Sequence, residues 1–308
     1  MTRIRPSFVG LAAALLLLSH AAAVAAQDLE PKAYSASPVG AAFLIAGLAR
    51  STGAVVFDPS LPITDVQAKV NGALLAGGYS FGLAGKLALV TAAIPYGWGD
   101  ISGKVQEQAQ SISRSGLTDA RLKFSMNLRG NPAMRARAFS KAPRKTVVGA
   151  SLTVNAPVGQ YYDSKLINLG TNRWAFKPEV GVSAPVGRWD VDAYLGVWLF
   201  TKNPDFYPGG KARTQDPVVA LQGHVSYTFK PRLWAAVDGT WYRGGSAQVE
   251  GAAPTAKMNN ARLGATVSFP VGRQQSIKFA YSGGVLVRTG TNFRAISVGY
   301  QWLWLTKK

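Results

Sequence analysis

Apolar and polar residues alternate with a period of two along most of the chain, in segments of about ten residues. In the last segment, residues 294–305, every second side chain is large and apolar: Ile296, Val298, Tyr300, Trp302 and Trp304. The same alternation runs through residues 121–129, 220–229 and 261–269. A period of two is that of a β-strand with two different faces, and no helical period persists for long. The pattern therefore predicts an all-β chain.

The segments are evenly spaced, and their connections alternate in length. We expect twelve strands, at residues 39–50, 67–81, 86–98, 118–130, 146–157, 174–184, 189–201, 217–229, 232–243, 260–270, 274–288 and 294–305. Tight turns follow strands 2, 6, 8 and 10, whereas connections such as 99–117 and 202–216 are long and polar. Two connections break the rule, because 131–145 is long and the loop near Gly290 is short. This layout predicts a transmembrane antiparallel up-and-down β-barrel of about 12 strands, with both termini in the periplasm.

Large aromatic residues gather near the predicted strand ends, as they do at the two interfaces of a membrane barrel. They are Tyr96, Trp98, Trp174, Trp189, Trp241, Tyr242, Trp302 and Trp304. A soluble β-sandwich is the alternative, but it would need a polar outer face. Here apolar faces rich in Val, Leu, Phe and Trp recur on nearly every strand, which favours a barrel in lipid. Residues 86–98 carry apolar side chains on both faces, so the phase of that strand stays open.

The first residues predict export. Arg3 and Arg5 precede an apolar run, residues 11–24, which ends in small residues before Gln27. We therefore expect residues 1–26 to be a cleaved signal peptide and residues 27–308 to form one barrel domain in the bacterial outer membrane. An N-terminal membrane anchor is the alternative, but the run is short for one.

Composition excludes several classes of chemistry. The chain has no Cys and two His, one of them within the predicted signal peptide, so thiolate sites and sites with two His ligands are excluded from the mature protein. No phosphate-binding loop motif occurs, and no cofactor or metal ligand is predicted. The formal net charge of +19 comes from scattered basic residues, so we expect no nucleic-acid partner. Anionic solutes and anionic outer-leaflet lipid are the expected partners.

Charged residues fall on the face opposite the apolar one, and they are the candidate lining of the lumen. They are Arg121, Lys123, Arg129, Lys177, Glu179, Asp190, Asp192, His224, Arg262, Lys278 and Arg288. Basic residues outnumber acidic ones in this set, and rings of Lys and Arg favour anions. The alternative is that these charges pair across the lumen and close it.

Two arrangements resemble catalytic ones. His224 and Ser226 share a strand face, and their His-x-Ser spacing resembles that of outer-membrane phospholipases, which are also twelve-stranded. The phospholipase site faces lipid, however, whereas Val225 and Tyr227 mark the lipid face here. Asp190 and Asp192 lie among basic residues and are more simply charge partners than an acid–base couple. We therefore predict no catalytic residues and no enzyme activity.

Several stretches resemble a family of proteobacterial outer-membrane proteins named for the meta-pathway of phenol degradation and also described as transporters. The stretches are residues 28–40 (DLEPKAYSASPVG), 58–63 (DPSLPI), 149–182, 215–229 (QDPVVALQGHVSYTF) and 262–271 (RLGATVSFPV). The resemblance implies an outer-membrane barrel linked to the uptake of aromatic or other hydrophobic compounds. The resemblance assigns no functional role to any residue of this chain.

Together these observations predict an outer-membrane channel or transport protein for small solutes, anionic or aromatic in character. The main alternative is a closed structural or adhesive barrel that binds partners through its outer loops. A lipid-acting barrel enzyme comes third, since it requires His224 and Ser226 to face lipid.

Overall fold

The structure is a computed structural model that describes residues 30–56, 63–105, 108–165, 167–207, 209–288 and 290–306. The predicted signal peptide lies outside the described residues. None of the helices in the described ranges has the length and hydropathy of a membrane-spanning segment.

The described residues form sixteen strands and one short helix, α1 (Ala136–Phe139). The strands are β1 (Ala41–Val56), β2 (Ile63–Leu83), β3 (Lys86–Val105), β4 (Gln108–Leu117), β5 (Ala120–Arg129), β6 (Val147–Ala156), β7 (Ala175–Val186), β8 (Trp189–Phe200), β9 (Asn203–Phe206), β10 (Lys211–Gln215), β11 (Val218–Lys230), β12 (Leu233–Gly244), β13 (Ala247–Val249), β14 (Met258–Pro270), β15 (Gln275–Val287) and β16 (Gly290–Leu305).

Twelve of these strands close into an antiparallel barrel, as the sequence predicts. Each barrel strand pairs with its neighbours along the chain, and β1 closes the ring by pairing with β16 from Ala41↔Leu305 to Val56↔Gly290. β5 pairs with the first half of β3, while β4 pairs with its second half. Closure leaves no strand edge unpaired, which a sheet surrounded by lipid requires.

The segment 99–117, expected to be a loop, is instead mostly strand. β3 continues to Val105, and β4 returns beside it from Gln108 to Leu117. This hairpin is rich in Ser, Gln and Gly, and most of its side chains are exposed. Strands that stand in water on both faces lack the apolar alternation from which the barrel strands were predicted. The expectation was wrong for that reason.

The two ends of the barrel differ. Short turns such as Ala84–Gly85 lie at the end where β1 begins and β16 ends, and there the Thr306 N–H donates to Gly40 O at 2.8 Å. Ala84 and Gly85 both have positive φ, as a tight two-residue hairpin turn requires. We call this the turn end. At the other, the loop end, β9, β10 and β13 form a separate three-stranded sheet.

The barrel is apolar outside and polar inside, the reverse of a soluble protein. Leu48 is 58% exposed and Val237 65%, whereas Ser125, Ser226 and other polar side chains are buried in the interior. The faces predicted for 121–128, 220–229 and 261–269 are therefore confirmed, whereas Arg129 departs from the predicted face. On β3, whose phase the sequence left open, Leu87 is buried and Ile94 is exposed.

Candidate functional site: the barrel lumen

Nine of the eleven charged residues predicted to line the lumen lie on inward-facing strand positions. Lys177, Glu179, Asp190, Asp192 and His224 are buried. Arg121, Lys123, Arg262 and Lys278 are partly buried. They share the inward face because successive side chains of a strand point to opposite sides of the sheet.

Arg129 and Arg288 do not line the lumen, because the strict alternation assumed for them is interrupted. The register of β5 shifts between Asn127 and Arg129, so Arg129 pairs with Val148 on the outward phase and is exposed. Arg288 lies past the last residue of β15 and is also exposed. An extra residue in one strand reverses the faces of everything after it, and sequence periodicity does not reveal it.

The lumen holds a segment of the chain that the sequence did not place there. Residues 30–36, which precede β1, enter from the turn end, and Tyr34 is only 1% exposed. Its hydroxyl donates to Glu179 Oε1 at 3.0 Å and accepts from Ser151 Oγ at 2.9 Å. The ring packs edge-on against Tyr194 at a centroid distance of 5.1 Å. We call residues 30–36 the lumen segment.

Two glycines make room for the Tyr34 ring. Gly149 on β6 and Gly181 on β7 pair with each other, and a Cβ atom added to either would overlap the ring. A glycine in a strand often marks such a close approach. Adjacent glycines on the inward faces of two strands are the signal that could have indicated an occupant of the lumen.

Ion pairs fix the lumen segment to the wall. Glu30 Oε2 lies 2.6 Å from Lys123 Nζ, while Lys32 Nζ forms an ion pair with Asp190 and the Lys32 N–H donates to Asp192 Oδ2 at 3.1 Å. The segment thus offers both an acid and a base to opposite charges of the wall. The first three residues of the segment are held electrostatically, and Tyr34 is held by packing and hydrogen bonds.

The wall charges also pair with one another. Lys177 Nζ lies 3.0 Å from Glu179 Oε2, which also accepts from Gln222 Nε2 at 3.3 Å. Arg144, in the connection between β5 and β6, forms an ion pair with Asp190 at the turn end. In this structure several lumen charges, among them those of Lys123, Lys177, Glu179 and Asp190, are paired, and the lumen segment occupies the space between them.

His224 is oriented by an acid that sequence reasoning missed. Its Nδ1 lies 2.7 Å from Asp238 Oδ1, and Asp238 Oδ2 accepts from Thr266 Oγ1 at 3.0 Å. Asp238 was not among the predicted lumen residues, because the sequence pattern did not assign the two faces of its strand, β12. Ser226 Oγ and His224 Nε2 have no hydrogen-bond partner among the described residues. The pair thus faces the lumen and lacks the nucleophile–base hydrogen bond that a hydrolase site uses.

The charges of the wall are separated along the barrel axis. Among the described residues, the inward-facing cations of the barrel strands are Arg121, Lys123, Lys177, Arg262 and Lys278, and the inward-facing acids are Glu179, Asp190, Asp192 and Asp238. The excess of positive charge is therefore smaller than the sequence predicted. All of these cations except Lys278 lie in the half nearer the loop end, whereas Asp190 and Asp192 lie near the turn end.

No group of three or more His, Asp or Glu side chains able to hold a metal ion occurs in the part of the chain that the structure describes.

Comparison with known proteins gives a family and a fold. The family model described as "Putative MetA-pathway of phenol degradation" matches residues 51–304. The crystal structure of an outer membrane channel from Pseudomonas putida F1 is similar, with 21% identity, a TM-score of 0.75, and coverage of 90% of this chain and 100% of that one. The transport unit of the autotransporter AIDA-I from Escherichia coli has 9% identity, a TM-score of 0.53, and coverage of 99% and 100%. No curated protein matches the chain.

Proposed function

The chain belongs to the family described as "Putative MetA-pathway of phenol degradation", and from this premise we propose that it is an outer-membrane channel for small solutes. The observation that carries the proposal is the closed barrel with an apolar exterior and a charged interior. Such a barrel satisfies every backbone hydrogen bond while facing hydrocarbon, and its polar side chains surround a path across the membrane. The turn end then faces the periplasm and the loop end faces outward.

We further propose that the solute is a small anion, with aromatic acids as the first class to test. Arg121, Lys123 and Lys177 place three cations in the outer half of the lumen, where they outnumber the wall carboxylate of Glu179. Cationic rings at an entrance raise the local concentration of anions. The link to aromatic compounds rests on the family description, which names phenol degradation.

Conduction requires the lumen segment to move. Tyr34 and its neighbours fill the lumen between β6, β7 and β8. The segment holds its position through ion pairs and a few hydrogen bonds rather than through strand pairing. Its displacement would leave the closed hydrogen-bond network of the barrel intact, so the barrel should persist in an open state.

Single-channel recording of the refolded protein in a planar bilayer tests the proposal. The mature chain is compared with a variant that lacks residues 27–36, and the reversal potential is measured under a salt gradient. We expect the shortened variant to conduct steadily and to prefer anions, and Lys177→Gln to weaken that preference. Lys230→Gln, at an exposed turn-end position, is the matched control. A folded, shortened barrel that carries no current would overturn the channel proposal.

A second candidate is a closed barrel whose outer loops bind a partner. The filled lumen and its paired charges favour it, as does the ordered three-stranded sheet at the loop end. The same recording separates the two functions. Silence of both proteins, with folding verified, would favour the closed barrel.

A further inference from the structure

Two arginines are buried at the loop end, above the lumen. Arg173 precedes β7, and Arg213 lies in β10, where it pairs with Asn203 of β9 and Val249 of β13. Arg173 is 8% exposed and Arg213 4%. Guanidinium groups are rarely buried to this extent unless an anion accompanies them.

Neither guanidinium has a carboxylate partner among the described residues. Arg173 Nη2 donates to the neutral Gln215 Oε1 at 2.5 Å, while its Nη1 has no acceptor. Arg213 Nε has no acceptor either. Both groups lie over aromatic rings, Arg173 at 4.4 Å from the Phe200 centroid and Arg213 at 5.5 Å from that of Phe206. Aromatic faces attract cations but offer no acceptor for the remaining N–H groups.

The nearby acid is already committed elsewhere. Asp119 accepts from the Gly159 N–H at 3.1 Å, and its other oxygen accepts from the Thr171 N–H at 3.0 Å and from Thr171 Oγ1 at 2.5 Å. The negative charge of Asp119 offsets only part of the repulsion between Arg173 and Arg213. Burial, together with the charge of Arg213, lowers the pKa of Arg173 well below its usual value. Burial also lowers the pKa of Arg213 to about 10.

A small cavity adjoins Arg213. Tyr161, Thr171, Asn203 and Phe206 also line it, and it has a volume of about 10 Å³. A volume of this size admits about one water-sized group. A monatomic halide is nearer to this size than sulfate or phosphate, so halides are the class of anion that the cavity favours.

We propose that Arg173 and Arg213 bind a small monovalent anion, such as chloride, at the outer mouth of the lumen. The anion accepts from the free N–H groups of the two arginines and screens their mutual repulsion. This inference deepens the proposed channel function, because the site would be the first on an inward anion path, ahead of Lys177 and Arg121.

Bromide is the probe, because its anomalous scattering identifies it in a crystal. Crystals of the full mature protein grown in sodium bromide should show an anomalous peak between the two guanidinium groups. Arg213→Gln should abolish the peak, whereas Arg243→Gln, an exposed arginine at the same end of the barrel, should retain it. Absence of the peak in the wild-type protein, or its persistence in Arg213→Gln, refutes the site.

Binding in solution gives an independent measurement. We expect bromide to raise the urea midpoint of unfolding of the wild-type protein and of Arg243→Gln, with an affinity at least about tenfold weaker in Arg213→Gln, because a charged hydrogen-bond donor is lost. Arg173→Lys keeps the positive charge and remains informative if Arg213→Gln does not fold. It should weaken bromide binding, but less than a substitution that removes the charge. Equal bromide responses in all variants contradict the proposal.

The site and the channel can fail separately. Bromide bound between the arginines of a protein that carries no current would keep the site and remove the channel function. Anion current with no bromide at the site would do the reverse.

Discussion

Tyr34 is the side chain on which closure of the lumen depends most, and Tyr34→Ala should open it. The substitution removes the ring that rests on Gly149 and Gly181 and both hydrogen bonds of the hydroxyl. The ion pairs of Glu30 and Lys32 remain. The lumen segment is then held mainly at residues 30–32, by interactions that water and salt weaken.

The size of the effect follows from the contacts that are lost. Truncating a buried aromatic side chain to Ala costs about 3–5 kcal/mol. Taking about 3 kcal/mol as the loss of anchoring, the ratio of displaced to seated segment should rise by about 100-fold, since about 1.4 kcal/mol corresponds to a factor of ten. Tyr34→Phe keeps the ring and loses both hydrogen bonds of the hydroxyl. The bond to the charged Glu179 alone is worth about 1.5–3 kcal/mol, so the rise should lie between about 10-fold and about 100-fold.

Open probability in single-channel recordings measures this ratio directly. Tyr281→Ala is the matched control, because Tyr281 lies exposed on the outer face of β15. Heat-modifiable migration in gel electrophoresis verifies that each variant is folded. Gly149→Ala provides an independent route to the same state, since the added methyl group occupies the place of the ring.

The reasoning fails if folded Tyr34→Ala and Gly149→Ala both show the open probability of the wild-type protein. It also fails if Tyr281→Ala opens the channel as strongly as Tyr34→Ala.

Three further predictions concern the wall. Lys123→Cys should react slowly with a membrane-impermeant thiol reagent and at least about tenfold faster when Tyr34→Ala is added, whereas Phe124→Cys on the lipid face should not respond; the opposite pattern would mean that the inward phase is inverted. Asp238→Asn weakens the buried contact to the histidine and should lower the free energy of unfolding in urea by about 1–3 kcal/mol, and an unchanged value would show that this contact contributes nothing to stability. Val237→Arg on the lipid face should lower the free energy of unfolding by about 2–4 kcal/mol when refolding is measured in liposomes, because the charge is placed in hydrocarbon. An unchanged free energy would contradict the membrane location of β12.

Much of the candidate site could be predicted from the sequence. Lys177 and Glu179 lie two residues apart within β7. Their inward position follows from the period of two and from the apolar residues that alternate with them. Arg129 could not be placed, because the register shift that displaces it depends on its pairing with β6. The hairpin 99–117 was misjudged, because strands exposed to water on both faces need no apolar face.

The sequence by itself determined those properties that depend on the local geometry of a strand and on whether each of its faces meets lipid or water. The number of barrel strands and the two faces of each strand follow from a period of two. The short turns at one end follow from residues that favour turns. These properties depend on neighbours a few residues apart.

The tertiary structure alone decided what lies inside the barrel. Tyr34 meets Glu179 across 145 positions of the chain, and Lys32 meets Asp190 across 158. Arg173 and Arg213 come together only after β9, β10 and β13 fold over the loop end. Such contacts arise when closure of the barrel brings distant strands around one space, and no local pattern encodes which side chains will fill it.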